Sequence, residues 1–316
     1  MRIRSFAAPL LALLPTLAFA VPPACPEADA EALRWLEKMS HSTHALNYEG
    51  VVTVQRGDEM QVVQVSHRAS DGTTTETLTR LTGQGAKVER KSHPLDCVHP
   101  GAKLLQLGDA LKLGQCGVAD HYRFRVSDGD RVAGREVVRL KVAPRDMYRF
   151  GYVMELDRET GLLLKTKILG PGDKTLEKFQ FANLSYGPPV AKGATVDTVH
   201  QAAHPHPDHP IANSPGKRDW QVRWLPSGFT ATDAAAGAAA RRTYTDGLAV
   251  FSVFLEELPR EIRPGEGVVR HGGTTSYTRG LRLTDMPVLV TVIGEVPVNT
   301  ARMVADSITW DAASAD

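Results

Sequence analysis

Phe150-Gly-Tyr-Val-Met-Glu-Leu-Asp-Arg-Glu-Thr-Gly-Leu-Leu-Leu-Lys-Thr-Lys-Ile168 is the stretch on which the fold turns. Phe150, Tyr152, Met154 and Leu156 take every second position, and Leu162, Leu164, Thr166 and Ile168 do the same. A period of two puts each set on one face of a strand. The runs stand too close together for a helical crossover, so they must pair antiparallel.

The same period continues on both sides. Upstream, Tyr122, Phe124 and Val126 alternate with Arg123 and Arg125, and Val138, Leu140 and Val142 alternate with Arg139 and Lys141. Downstream, Phe179 and Phe181 alternate with Lys178 and Gln180. Nearer the N-terminus, Tyr48, Gly50, Val52 and Val54 alternate with Glu49, Thr53 and Gln55, and Met60 to Val65 reads as a further strand. Turn formers lie between the runs: Gly57-Asp58, Asp71-Gly72, Gly83-Gln84-Gly85, Asp128-Gly129 and Gly170-Pro171-Gly172-Asp173. A long antiparallel meander with one apolar face either curls over a helix or closes on itself. Residues 27–39 supply that helix, with Ala32, Trp35, Leu36 and Met39 on one face at i, i+3, i+4 and i+7.

Composition changes at Gly187-Pro188-Pro189. Residues 188–219 have no period and read as a linker between domains. His200, His204, His206 and His209 fall there, alternating in part with proline. Such a run chelates Cu, Ni or Zn loosely, but a proline-rich spacer offers no second shell to fix ligands, so we expect no metal site. Residues 220–312 read as a small α+β domain. Its expected strands are Trp220 to Leu225, Ala249 to Leu255, Ser276 to Leu283 and Val288 to Glu295. Its last helix has the face Ala301, Val304, Ala305 and Ile308, with Asn299 as the cap. Ala231 to Ala240 is a weaker helical candidate, interrupted by Gly237.

Residues 1–20 resemble a secretory signal peptide: Arg2 and Arg4 lead, Phe6 to Phe19 is apolar, and Ala18-Phe19-Ala20 is a small-x-small cleavage site. The apolar run is short for ~30 Å of hydrocarbon and is broken by Pro9 and Pro15. Export into an oxidising compartment makes a disulfide between Cys97 and Cys116 the expected use of two of the three cysteines. The loop it closes is worth roughly 3 kcal/mol by chain entropy. Redox catalysis is the alternative, but there is no Cys-x-x-Cys.

The 316 residues carry 37 Lys and Arg against 36 Asp and Glu, which argues against a nucleic-acid partner. There is no Gly-x-Ser-x-Gly elbow, His-Glu-x-x-His helix or phosphate-cradling glycine loop followed by Lys-Ser/Thr. We therefore expect a binding module, with no catalytic residues and no cofactor. Tyr48, Val52, Phe124, Tyr152 and Met154 are the candidate groove residues. They are either plain core under the helix or the lining of a groove too open for one helix to fill, which would take an acyl chain at ~0.8 kcal/mol per buried methylene.

Several motifs carry a resemblance. Tyr244-Thr-Asp-Gly-Leu-Ala-Val-Phe-Ser-Val-Phe-Leu-Glu256, Trp224-Leu-Pro-Ser-Gly-Phe229 and Val290-Thr-Val-Ile-Gly-Glu-Val-Pro297 resemble the RseB/MucB family of periplasmic regulators of an envelope-stress, sigma-E type sigma factor. So does Asn47-Tyr-Glu-Gly50 after a Trp-Leu-x-x-Met helix, while Leu156-Asp-Arg-Glu-Thr-Gly-Leu162 resembles a hairpin of lipoprotein carriers.

The resemblance implies an α+β protein. Residues 21–187 would be a LolA-like, lipoprotein-carrier-like half-barrel, curved, antiparallel and covered by helices. Residues 220–312 would be a smaller domain that holds the anti-sigma factor. The implied partner is the periplasmic domain of an RseA/MucA-type transmembrane anti-sigma factor, shielded from site-1 proteolysis. Lipid, mislocalised lipoprotein or a lipopolysaccharide fragment would enter the large domain and release it. A homodimer is compatible with the resemblance. Partner contact is expected at Trp224, Tyr244, Asp246 and Arg279, with Trp224 alternatively core and Arg279 alternatively in a buried salt bridge. The rival reading is a periplasmic lipoprotein or lipid carrier, for which the second domain has no evident use.

Overall fold

A computed structural model describes residues 29–70, 73–83, 87–92, 117–187, 219–232, 241–260 and 265–310. Residues 1–20, expected as a signal peptide, Cys97, Cys116 and the histidines of 188–219 lie outside the described residues.

Helix α1 (Ala30–Ala45) begins where the Asp29 carboxylate accepts the backbone N–H groups of Glu31 and Ala32 at 3.0 and 3.2 Å. It runs past the expected end at residue 39, because its last turn is polar and leaves no apolar period to read. Ala32, Leu33, Leu36 and Met39 are buried against Leu140, Tyr152, Met154 and Leu156.

Nine strands follow in the first sheet: β1 (Tyr48–Arg56), β2 (Glu59–Ser70), β3 (Thr73–Arg80), β4 (Lys87–Ser92), β5 (Tyr122–Asp128), β6 (Val137–Pro144), β7 (Gly151–Asp157), β8 (Leu163–Leu169) and β9 (Thr175–Tyr186). Their order is β4-β3-β2-β1-β9-β8-β7-β6-β5, every pair is antiparallel, and the outer strands β4 and β5 do not pair with each other. Two antiparallel meanders, β1 to β4 and β5 to β9, are joined by β1 on β9, and the sheet stays open at its outer strands. Among the described residues one α-helix lies on it, where the resemblance implied several.

The second unit has a six-stranded antiparallel sheet in which the third strand in sequence pairs with the sixth. Its strands are β11 (Thr230–Ala231), β12 (Arg241–Thr245), β13 (Val250–Glu257), β14 (Glu266–His271), β15 (Thr274–Leu283) and β16 (Met286–Gly294). Helix α2 (Val298–Asp306) packs Ala301, Val304 and Ala305 into the core of Phe251, Val253, Tyr277, Val290 and Val292.

Three expectations need correction here. Pro297, not Asn299, holds the cap position of α2, since its fixed φ suits a helix start. Asn299 falls inside the first turn. The run from Trp220 pairs only as β10 (Trp220–Val222), and its partner is the C-terminal β17 (Ile308–Trp310), with Trp220 opposite Trp310. Within the alanine-rich segment, Ala231 is strand and residues 233–240 lie outside the described residues.

Candidate functional site

The two sheets meet along a seam whose centre is an ion pair. Between β6 and β7 the chain turns at Asp146, whose carboxylate accepts the Tyr148 N–H at 2.9 Å. That turn delivers Arg149, whose side chain is wholly buried. Its Nε donates to Asp246 Oδ2 of the second unit at 2.7 Å, and its other nitrogens meet the Asp146 carboxylate and the Ser227 carbonyl. The guanidinium lies 5.0 Å from the Phe229 ring centre and 5.8 Å from that of Tyr122.

Asp246 is equally buried. It follows β12 in a tight turn, where Oδ1 accepts the N–H groups of Leu248 and Ala249 at 3.0 and 2.8 Å. Oδ2 takes Arg149 and the Tyr122 hydroxyl, the latter at 2.9 Å. Four donors thus saturate one carboxylate, which is the condition under which a buried charge is tolerated. Burial, and after it the Asp246 charge, pushes the Tyr122 hydroxyl far above its ordinary range, so it remains a donor. His121 sits beside this centre. Burial first, then Arg149, lowers its imidazole below the ordinary value.

Two further patches flank the ion pair. On one side the Thr300 hydroxyl donates to the Tyr148 carbonyl at 2.9 Å, Asn299 donates to the Met147 carbonyl at 3.4 Å, and the Tyr148 ring stands edge-on to Trp224 at 5.2 Å. An open cleft of about 700 Å³ lies here, lined by Val142, Met147, Phe150, Leu169, Pro171 and Pro297 among others. On the other side the β14–β15 turn reaches the first sheet. His271 meets Glu59 at 3.1 Å, and the Gly273 N–H donates to Glu177 at 3.3 Å. Burial first, then Glu177, raises the Glu295 carboxyl.

Strand register places the candidate groove residues on one face of the first sheet. Phe124, Val142, Tyr152, Ile168, Glu177, Arg56 and Glu59 form one row across it. Leu140, Met154, Thr166, Phe179, Val54 and Gln61 form the next, and Leu164, Phe181, Val52 and Val63 lie close beyond. The five residues fall into two cores. Tyr152 and Met154 are buried in the core that also holds α1, with Phe124 half-buried beside them. Tyr48 and Val52 belong to a separate cluster with Phe181 and Leu164, and Tyr48 stacks on His67 at 4.8 Å. Phe179, Val54 and Thr166 lie between and are half-buried.

The four residues expected to touch a partner do not share a surface. Asp246 and Trp224 are at the seam. Tyr244 is core, packed on Phe251 at 5.4 Å. Arg279 makes a salt bridge, but a half-exposed one, to Asp306 of α2 at 2.5 Å. Sequence reasoning missed Arg149, whose only signal is a lone cation entering the apolar run of β7. Among the described residues no three His, Cys, Asp or Glu come together to hold a metal.

The geometry has clear counterparts. The MucB/RseB N-terminal domain matches residues 31–199 and the MucB/RseB C-terminal domain matches residues 214–309. The chain is 35 % identical over 300 residues to the sigma factor AlgU regulatory protein MucB of Pseudomonas aeruginosa, covering 90 % of this chain and 93 % of that one. It is 23 % identical over 299 residues to the sigma-E factor regulatory protein RseB of Escherichia coli K12, covering 88 % and 90 %. The solved complex of Pseudomonas aeruginosa MucA and MucB superposes with a TM-score of 0.67 at 30 % identity, over 90 % of this chain and all of that one. A crystal structure of MucB gives 0.60 at 32 % identity, over 90 % and 99 %. With both units matched in order and nearly end to end, the chain belongs to the MucB/RseB family.

Proposed function

We propose that this protein is a periplasmic negative regulator of an extracytoplasmic-stress sigma factor. It holds the periplasmic part of a MucA/RseA-type anti-sigma factor, keeps it from site-1 proteolysis, and lets go when an acyl chain enters the first domain. The observation that carries this reading is the near full-length match to MucB, including the MucB solved with MucA. The working parts are residues 21–187 as sensor, 188–219 as tether and 220–312 as holder. Asp246 and Trp224 serve partner binding by fixing the seam, and Arg279 by the face of β15 and α2. The protein acts by binding and not by catalysis.

A lipid carrier is the second reading, favoured by the half-buried row of Phe179, Val54 and Thr166. A pull-down of the mature chain with the host's anti-sigma periplasmic domain, with and without a lipid-anchored peptide, separates the two. Capture that the lipid abolishes supports the regulator. Lipid uptake with no capture makes it a carrier.

A further inference from the structure

The β14–β15 turn does more than touch the first sheet. We propose that Gly272-Gly273 is a built-in plug, seated on the row that an acyl chain must cross, so that an incoming chain and the second domain compete for one place. The proposal rests on the acyl-chain reading above.

The row that contains Tyr152 is covered in two parts. Val142 and Tyr152, near β5, share a core with α1 and with Leu248 of the second unit. The turn covers Ile168, Glu177, Arg56 and Glu59, toward β2. How closely it sits follows from the glycines. A Cβ on Gly273 would stand 2.5 Å from Ile168 Cδ1. A Cβ on Gly272 would stand 2.5 Å from the Glu177 carboxylate and 2.9 Å from the Arg56 stem. Real Cβ atoms do not approach that near, so a side chain on either glycine must push aside the ends of Ile168 and Glu177 and the stem of Arg56. Gly272 also has φ +61°, which the tight reversal requires.

The next row is the apolar one: Met154, Thr166, Phe179 and Val54, with Phe181 and Val52 close beyond. Thr166, Phe179 and Val54 are its half-buried members, Phe179 packing on the core of Val52 and Phe181. An acyl chain covering Phe179 and Val54 and running on to Ile168 meets Gly273.

The seat itself is weak. Two polar contacts join the turn to the sheet, the long Gly273–Glu177 hydrogen bond and the exposed His271–Glu59 pair; the Arg56–Glu177 pair beside them is internal to the sheet. Exposed pairs of this kind contribute little, while the buried Arg149–Asp246 pair holds the same two units firmly. A chain that unseats the turn therefore pivots the second domain about that pair and leaves the units joined. The differential contact needed to couple ligand to domain arrangement is thus present: the chain gains Ile168 only where the turn has left it.

The test titrates the full mature chain with a dansyl-labelled undecanoic acid. Gly273→Val drives a side chain into Ile168 and unseats the turn. Glu59→Ala with His271→Ala loosens the same seat through exposed residues and leaves the core untouched. Competition predicts tighter uptake by both, approaching ~10-fold if the turn is seated nine-tenths of the time. If wild type and both folded variants take up the probe equally, or the variants bind more weakly, the plug is overturned and the acyl-chain reading stands. If no form takes up the probe, the acyl-chain reading falls and the plug with it.

Discussion

Asp246 is singled out by its motif, and the structure puts it at the centre of the seam between the two sheets. Its place after a strand and before Gly247 marks a turn, and the Asx-type bonds to Leu248 and Ala249 are what that pattern encodes. The second oxygen of the same carboxylate reaches across the seam to Arg149 and Tyr122, about a hundred residues away in sequence, which no local pattern can announce. Removing Asp246 takes one of two carboxylates from the buried Arg149, leaving it Asp146 and the Ser227 carbonyl, and takes the acceptor from the buried Tyr122 hydroxyl. Asp246→Ala should therefore cost roughly 3–5 kcal/mol in denaturant unfolding. It should also split one transition into two as the units uncouple. Arg279→Ala, at a half-exposed pair, should cost no more than ~1 kcal/mol.

His121 adds a pH dependence at the same place. Its folded value lies below the ordinary 6.5, so the unfolded chain binds the proton more readily. Its contribution to stability is full above that ordinary value and is lost as pH falls toward the folded one. Comparing unfolding at about pH 7 and about pH 5.5, wild type should lose more stability than His121→Gln. An equal loss in both would mean that the imidazole carries no part of it.

At the scale of elements, legibility followed exposure. Strands β1 and β5 to β9 each have one apolar and one polar set, and the period of two finds them without knowledge of the fold. The sheet order then follows from short connections, apart from the closure of β9 onto β1, which is a long-range pairing. Strand β14 escaped, because all six of its residues are exposed and Glu-Gly-Val-Val-Arg-His has no alternation to read. Strand β17 escaped because three residues at the end of a helix carry no period of their own. The end of α1 was misplaced for the related reason that its last turn is polar.

The packing of α1 gives an element-scale prediction. Leu36 is fully buried among Leu140, Tyr152 and their neighbours. Leu36→Ala should cost about 2–5 kcal/mol, with the spread set by how far α1 can settle into the space. The loop of Ser227-Gly228-Phe229 is a second. Gly228 has φ +85°, and a Cβ there would fall on the His121 ring, so Gly228→Ala should destabilise the seam while leaving each sheet's own hydrogen bonds intact. Backbone amide exchange would show that as faster opening near residues 145–149 and 227–229.

At the scale of the molecule, the candidate site was half legible. The groove residues were correctly placed on one face, because register preserves a period of two across neighbouring strands. That this face holds two separate cores, one filled by α1, depends on where a helix and a second domain come to rest. The same is true of Trp224, Tyr244 and Arg279, which motifs single out together and the fold sends to the seam, the core and the surface. What a sequence cannot carry is the pairing of the two sheets, whose seam has the Arg149–Asp246 ion pair at its centre and the Thr300–Tyr148 and Gly273–Glu177 contacts on either side.

Calorimetric titration of the host anti-sigma factor's periplasmic domain into wild type and into Asp246→Asn tests the proposed function and the seam's part in it most directly. The asparagine keeps the shape and the turn but removes the charge that holds Arg149. The account predicts binding by wild type and a loss of ~10-fold or more in the variant, with both domains still folded by circular dichroism. Equal affinity in the two, or no binding by wild type, would contradict it.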